Sequence, residues 1–398
     1  MYRGSIESLQ GAYIYADFVS TGKIWALSVD RNNNFAPVFN QTITMPDLNV
    51  AAFGEDEQGE LYVVTYYDGI YKLQAGPGGG TENIPPQLSN TGIFLNTTQS
   101  PLADLKPNPG ILPYTVNMPL WSDFAEKQRW FAVPGQNKID FDSTAAWDFP
   151  VGSVLVKNFE MTMIENDPNS IKKLETRVMV HQIDGWRGFT YKWREDQTDA
   201  DLLTSSATET LSIQLSGGGT RLQDYYYPSS DNCSSCHTAG SGSILGLRTA
   251  QANRSGTTGN TNQLTSFSQL GYFDSAIAAP NTLGSYPALD NVSASLESRA
   301  RAYLAANCAH CHQPAVPSSV SLDLRFETPL NQTGTINITP TAGDLGIAGA
   351  KIITAGAKEN SILWQRINRL DGFRMPPLAS HVIHPQAVSV VGQWIDSL

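Results

Sequence analysis

Two short motifs carry the groups in this sequence that are best suited to redox or metal chemistry. Cys233-Ser-Ser-Cys236-His237 and Cys308-Ala-His-Cys311-His312 each place two thiols three residues apart, with an imidazole directly after the second thiol. The chain has 4 cysteines, and all of them lie in these two motifs. Disulfide frameworks usually spread their cysteines among loops, so this pairing instead indicates groups held by two sulfurs and a histidine.

The C-x-x-C-H spacing suits covalent attachment of haem c. Two thiols three residues apart on a helical turn can reach the two vinyl groups of one porphyrin, and the next residue then points its imidazole at the iron. The sequence therefore predicts two haem c cofactors. We expect covalent bonds to Cys233, Cys236, Cys308 and Cys311, and proximal iron ligation by His237 and His312.

Two other uses of the same residues compete with haem. Four cysteines can hold Zn²⁺, but here the two pairs are far apart in the chain and each carries an additional histidine. A redox-active dithiol of the thioredoxin kind follows a strand and opens a helix within a βαβ unit. The first motif instead follows Tyr225-Tyr226-Tyr227-Pro228 and runs into a Gly/Ser-rich segment, so haem attachment is the favoured interpretation.

Composition excludes several classes of protein. The 398 residues contain 26 Lys+Arg and 37 Asp+Glu, a net charge of −11, and this length predicts two or three domains. A basic stripe that would hold nucleic acid is missing, and so is an apolar run long enough for a transmembrane helix. The N-terminus shows neither the charged nor the apolar region of a signal peptide.

The first three quarters of the chain are predicted to be rich in strands. Residues 1–75 contain short aromatic and β-branched runs, and the Gly/Pro-rich residues 76–86 predict a linker. Residues 87–228 read as a β-rich, sandwich-like domain with a hairpin formed by Ser153–Ile164 and Ile171–Gln182. Residues 229–294 hold the first motif and a second linker.

The pattern changes to helical from Ser295 onward. Leu296, Ala300, Tyr303 and Leu304 recur at helical spacing, and Ser293 or Ser295 can cap this helix. Two more helices are predicted at 361–370 and from Pro385 to the end. These helices predict an all-α domain over 295–398 that carries the second motif.

The surroundings of the second motif resemble the common single-haem cytochrome c domain. A helix runs into Cys308, and Arg374-Met375-Pro376-Pro377 precedes a terminal helix that contains Trp394. In that family a methionine in the loop before the last helix supplies the sixth iron ligand, so the resemblance implies Met375 as the distal ligand of the second haem. The two prolines agree with this, because they keep Met375 out of a helix.

The sequence does not assign a distal ligand to the first haem. Met118, Met161, Met163, Met179 and His181 lie upstream, whereas His310, His381 and His384 belong to the second haem domain. For each of them a core methionine or a surface histidine is the commoner role. A five-coordinate first haem is the other alternative.

Residues 85–398 as a whole resemble a family of bacterial dihaem c-type cytochromes. Besides the two motifs, the resemblance rests on Leu120-Trp121-Ser122-Asp123, Trp147–Gly152, Leu174-Glu175-Thr176-Arg177, Leu245-Gly246-Leu247 and Arg299–Leu304.

Residues 11–73 resemble the last blade of the propeller in soluble quinoprotein sugar dehydrogenases, which bind pyrroloquinoline quinone. The residues that carry this match are Tyr13–Phe18, Gly22–Leu27, Phe53–Glu57 and Gly59–Val64. The chain is then the C-terminal part, or a relic, of a dehydrogenase–cytochrome fusion; an ordinary β-extension is the alternative.

The expected fold class is therefore multidomain α+β, with a propeller-blade fragment at 1–75, a sandwich-like middle domain and an all-α cytochrome c domain. The expected function is electron transfer by a dihaem c-type cytochrome, periplasmic or extracellular, with a redox protein or a quinoprotein dehydrogenase as partner. A dihaem peroxidase, or the electron-accepting end of a quinoprotein dehydrogenase, is the enzymatic alternative. The chain is expected to be an electron carrier rather than a catalyst.

Overall fold

The protein is described from a computed structural model that covers most of the chain. Described are residues 1–6, 9–16, 23–30, 36–44, 49–66, 69–74, 84–97, 105–256, 261–316, 318, 320–378 and 380–398. Most of the predicted linker 76–86 lies outside these residues. The chain divides into two compact units, Met1–Ile84 with Gln182–Gly185, and Pro85–His181 with Trp186–Leu398. The finer predicted divisions at residues 228 and 294 stay predictions.

The first unit contains two antiparallel sheets of three strands each. The strands of the first sheet are β1 (Tyr13–Ala16), β2 (Lys23–Asp30) and β3 (Ala36–Thr44). Those of the second sheet are β4 (Val50–Glu55), β5 (Leu61–Thr65) and β6 (Ile70–Lys72). In each sheet the central strand pairs with both neighbours, and Ile24, Val50 and Val63 share one small buried cluster.

A six-stranded sheet organises the second unit. Its spatial order, β12-β11-β10-β9-β8-β7, follows the chain, as in a meander. The strands are β7 (Leu112–Pro113), β8 (Glu126–Ala132), β9 (Val154–Thr162), β10 (Ile171–Gln182), β11 (Gly185–Trp193) and β12 (Ala200–Leu202). The hairpin predicted at 153–182 is confirmed as β9 and β10, which pair antiparallel.

A two-stranded hairpin lies against one end of this sheet. It consists of β13 (Ala207–Gln214) and β14 (Thr220–Tyr227). Its alternate residues Leu211, Ile213, Tyr225 and Tyr227 are buried in one cluster with Phe159 and other sheet residues. This period of two places one side of the hairpin on the sheet, and β14 leads the chain directly to the first C-x-x-C-H motif.

The remainder of the second unit contains short helices joined by irregular segments. The helices are α1 (Ser230–Ser234), α2 (Thr249–Ala252), α3 (Gln263–Gln269), α4 (Leu296–Asn307), α5 (Ile362–Ile367) and α6 (Pro385–Asp396). Ser295 caps α4, because its side chain accepts a hydrogen bond from the Ser298 N–H. Helices α4 and α6 share a core in which Ala300, Leu304 and Ile395 are buried. The helices predicted near 295–304, 361–370 and from Pro385 are confirmed.

The predicted fold class is nevertheless wrong. Strands make up 28% of the chain and helices 19%, and no large all-α cytochrome domain is formed by the described residues at the C-terminal end. Between α4 and α5 the described residues contain two 3₁₀ turns, Leu330–Gln332 and Lys358–Asn360, and no α-helix. This stretch is rich in Pro, Gly and Thr, which favour turns over helix; three correctly located helices therefore did not imply an all-α domain.

The propeller-blade and sandwich parts of that fold class need the same correction. A propeller blade is a single sheet of four strands, whereas the described residues of 1–75 form two sheets of three. The middle region is built on one sheet of six strands covered in part by a two-stranded hairpin. Local strand patterns located most of these strands, but pairing between strands is decided by residues far apart in sequence.

Candidate functional site

The first motif is fixed between the hairpin and the six-stranded sheet. Ser229 and Asn232 form a reciprocal capping box that starts α1, which contains Cys233. The Ser230 hydroxyl donates to the Gly188 carbonyl on β11 at 2.6 Å. A Cβ atom at Gly188 would lie 2.7 Å from the Cys233 Sγ, so the absence of a side chain there lets the motif approach the sheet.

The second motif follows directly from the C-terminal end of α4. Cys308 is the C-cap residue, and its N–H donates to the Leu304 carbonyl. Asn307 in the last turn accepts a hydrogen bond from the Trp121 N–H at 2.7 Å. The Leu324 N–H donates to the His312 carbonyl at 2.9 Å. A regular helix and two long-range contacts therefore hold this motif.

Both motifs adopt the same backbone turn. The N–H groups of Cys236 and His237 donate to the Cys233 carbonyl at 3.2 and 3.0 Å. In the second motif the N–H groups of Cys311 and His312 donate to the Cys308 carbonyl at 3.0 and 2.9 Å. One helical turn of this kind brings both thiols of a motif to the same side, as attachment to one porphyrin requires.

One cavity of about 900 Å³ in the second unit is lined by both motifs. This volume is at the upper end of the about 300–1,000 Å³ found for ligand cavities. His237, His312 and all four cysteines of the motifs line it, and Met375 with Pro376 and Pro377 lines it as well. The structure therefore brings together every residue that the sequence predicts to bind haem.

The two motifs meet inside this cavity. One ligand atom each from Cys236, His310 and Cys311 lies within 4.8 Å of the other two. A Cβ atom at Gly240, just after the first motif, would collide with the backbone of Ala315, just after the second. Gly240 thus permits the two loops to approach each other.

Burial and mutual contact set the acidities of the thiols. Burial raises the pKa of Cys233, and it raises that of Cys308 to about 12. A hydrogen bond between Cys236 and Cys311 raises the pKa of Cys236 and lowers that of Cys311 to about 4, with His310 assisting the second shift. Cys311 is therefore the thiol of the four that most readily carries a negative charge.

His237 has the arrangement expected of a metal-binding imidazole. Its Nδ1 lies 2.7 Å from the Ser243 carbonyl oxygen, so Nδ1 carries the proton and the Nε2 lone pair is available. A carbonyl partner of this kind fixes ring orientation in metal sites. Burial, and then the nearby charge of Lys157, lowers the pKa of His237 to about 3, so the ring is neutral at pH 7.

His312 has a different environment. Its Nδ1 is buried and has no hydrogen-bond partner. Burial lowers its pKa, while Cys311 opposes this shift. The ring is neutral as well, but no contact of Nδ1 selects its tautomer.

The structure places the candidate distal ligands in different surroundings. The Met375 N–H donates to the Arg366 carbonyl at 2.9 Å, which anchors the loop that carries this residue. Met118, Met179 and His310 also line the cavity. Met161 and Met163 pack in the cluster beneath the hairpin. Two of the remaining histidines stack on tryptophans: His181 on Trp186 and His384 on Trp121, with ring centroids 4.6 and 3.9 Å apart. His381 Nδ1 lies 3.7 Å from the Asp123 Oδ2.

A group of half-buried cations was not among the predicted site residues. Lys127, Arg129, Lys157 and Arg177 also line the cavity. The available signal was their phase within the strands: Lys127 and Arg129 are two residues apart, and Lys157 is two residues from each of the buried Leu155 and Phe159. Lys157 therefore points to the same face of the sheet as these two core residues.

Comparison of the chain with protein-family models, with curated proteins and with solved structures finds no match. Within the part of the chain that the structure describes, no helix is both long and apolar enough to cross a bilayer.

Proposed function

We propose that this protein is a dihaem c-type cytochrome that transfers electrons. The observation that carries the proposal is the convergence of two C-x-x-C-H turns with the same hydrogen bonds on one cavity. Haem iron would supply the one-electron chemistry, and the protein sets its access and potential. As a c-type cytochrome the protein would reside in the periplasm or outside the cell, with a redox protein or a quinoprotein dehydrogenase as its partner.

The residues present fit haem c in three respects. Each motif offers two thiols on one turn beside the cavity, for thioether bonds from Cys233, Cys236, Cys308 and Cys311. His237 is neutral, with Nδ1 bonded to a carbonyl oxygen and Nε2 available as an iron ligand. The cavity walls include many apolar side chains, Leu155, Phe159, Ile244 and Leu324 among them, which is the environment that a porphyrin plane requires.

The decisive experiment counts haems. The chain would be produced in a bacterium with haem c maturation, and its intact mass and its reduced absorption spectrum would be recorded. We expect two covalent haems. Cys233→Ala with Cys236→Ala should leave one, and Cys308→Ala with Cys311→Ala should leave the other.

A matched control changes the two residues between the thiols of the first motif. Ser234 and Ser235 are exposed, so Ser234→Ala with Ser235→Ala should keep both haems. Colourless protein with the mass of the bare chain would reject the proposal, and so would two remaining haems in either cysteine variant.

A zinc site is the second candidate, favoured by the meeting of Cys236, His310 and Cys311 within 4.8 Å. Zinc in proteins prefers four thiolate or imidazole ligands, and this cluster offers three. The two candidates exclude each other, because a thioether sulfur has lost the charge with which a thiolate binds zinc. Metal analysis of the protein from the same preparation separates them: one zinc per chain without haem supports the second candidate.

A further inference from the structure

Three cations form a row across the six-stranded sheet. Arg129 on β8 lies directly opposite Lys157 on β9, and Lys157 lies directly opposite Arg177 on β10. Lys127 precedes Arg129 by two residues and therefore points to the same face. We call these four residues the cation row.

The cation row has one carboxylate partner among its described contacts. Arg177 pairs with Glu175 at 2.5 Å, and its buried Nε has no hydrogen-bond partner. The other three donate to backbone carbonyls: Lys127 to Leu120 at 2.7 Å, Arg129 to Lys127 at 3.1 Å and Lys157 to Leu245 at 3.3 Å. Of the four cations in the row, Arg177 is the one with a carboxylate partner among these contacts.

This arrangement is unfavourable unless an anion joins it. Like charges directly opposite on neighbouring strands destabilise a sheet, and charges with little access to water are unfavourable without partners. Burial and the neighbouring guanidinium groups lower the pKa of Lys157 to about 7, and the pKa of Lys127 is lowered for the same reasons. The chain as a whole has a net charge of −11, so an excess of cations in its interior is a local feature.

The cation row lies near the first motif. Lys157 and Arg177 line the same cavity as Cys233 and His237. Cys233 itself is placed against Gly188 of β11, the strand next to β10. A porphyrin attached at this motif would occupy the cavity that the cation row also lines, and it would bring two carboxylate side chains into it.

We propose that the cation row is a carboxylate-binding site and that it binds the porphyrin carboxylates of the haem held by Cys233 and Cys236. The identity of the ligand rests on the proposed function, whereas the affinity of the row for carboxylates does not. Arginine and lysine donate charge-assisted hydrogen bonds to carboxylates, and these are stronger than hydrogen bonds between neutral groups. A free small carboxylate is the other source of the same chemistry.

The test uses the full chain made without haem c maturation. Mesoporphyrin IX, which has two carboxylates and no vinyl groups, and its dimethyl ester would be titrated against the protein by tryptophan fluorescence. We expect the acid to bind at least about 10-fold more tightly than the ester, a preference equal to one charge-assisted hydrogen bond. Lys157→Met and Arg129→Met should each reduce this preference severalfold. Lys138→Met removes one charge from an exposed residue and should keep it.

A second arm titrates benzoate, alone and after the porphyrin. If the porphyrin carboxylates bind the cation row, benzoate should no longer bind after the porphyrin has been added. Lys157→Met should also weaken the binding of benzoate alone. Benzoate binding that depends on Lys157 but survives the porphyrin assigns the site to a free carboxylate and rejects the haem as its ligand. Equal affinity for acid and ester without benzoate binding overturns the proposal, and so does a preference that both row variants retain. Failure of the proposed function is seen separately, as missing haem in the mass of the matured chain.

Discussion

The two C-x-x-C-H motifs share one backbone turn but stand on different supports. The first follows a β-hairpin through a single-turn helix, and its cysteine packs against the bare backbone of Gly188. The second ends the 12-residue helix α4, whose core is shared with α6. The turn itself is therefore set by the motif, whereas its position in the fold is set by unrelated elements.

The electrostatic surroundings of the motifs differ as well. Burial is the largest influence on the pKa values of all four groups. Beyond burial, Lys157 and Arg177 act on the pKa values of Cys233 and His237, whereas Cys311 acts on those of Cys308 and His312. If both motifs hold haem, the two irons would have different potentials, as a directional electron relay needs.

Met375→Ala should change the difference in potential between the two haems more than any other variant proposed here. The variant should lower the potential of the second haem alone by about 0.1–0.2 V, because a thioether ligand favours ferrous iron and axial ligands set haem potentials over about 0.8 V. Spectroelectrochemical titration would measure both potentials. Met163→Ala is the control, since Met163 packs beneath the hairpin. An unchanged titration of Met375→Ala would contradict the ligand assignment.

Gly240→Ala should separate the two motifs. Its new methyl group would collide with the carbonyl group of Ala315, and such overpacking costs about 1–3 kcal/mol. Urea unfolding of the haem-free chain would measure the loss of unfolding free energy. The control is Gly217→Ala, because Gly217 is exposed and a Cβ there meets nothing within 4 Å. Equal stabilities of the two variants would show that the loops do not touch.

The sequence predicted single helices and strands better than it predicted the fold class. Spacing located α4 from Leu296, Ala300 and Leu304, and it located β9 and β10 as a hairpin, because these signals are local. The long irregular stretch after Cys308 has no period, and the all-α prediction failed there. The cation row depends on the register of three strands, which brings Arg129 and Arg177 to either side of Lys157. No local pattern contains that information.

Lys157→Met should change how stability depends on pH in the haem-free chain. The folded pKa of Lys157 is lowered to about 7, while the unfolded value is about 10.4. Between these values the unfolded chain binds more protons, so the contribution of Lys157 to the unfolding free energy rises with pH, by up to about 1.4 kcal/mol per unit. Below pH 7 the contribution of Lys157 to the unfolding free energy is constant.

The measurement is the difference in unfolding free energy between the parent chain and Lys157→Met from pH 6 to 9, which cancels the titration of other groups. We expect a flat difference up to pH 7 and a rising one above it. The same subtraction with Lys138→Met, which changes an exposed lysine, is the control. A flat line for Lys157→Met would show that this lysine titrates normally and that the cation row is solvated.

The smallest expected difference between the two motifs is in the tautomers of His237 and His312. The Ser243 carbonyl fixes the proton of His237 on Nδ1, whereas Nδ1 of His312 has no partner. Nitrogen NMR of the haem-free chain labelled at histidine should show His237 as one neutral Nδ1–H tautomer at pH 7 and still neutral at pH 5, because its pKa is lowered to about 3. His312 should show a mixture of tautomers. His237→Gln and His312→Gln assign the signals. An Nε2–H tautomer at His237 would mean that the nitrogen expected to bind iron carries a proton. That result would contradict His237 as an iron ligand and would leave His312 unaffected.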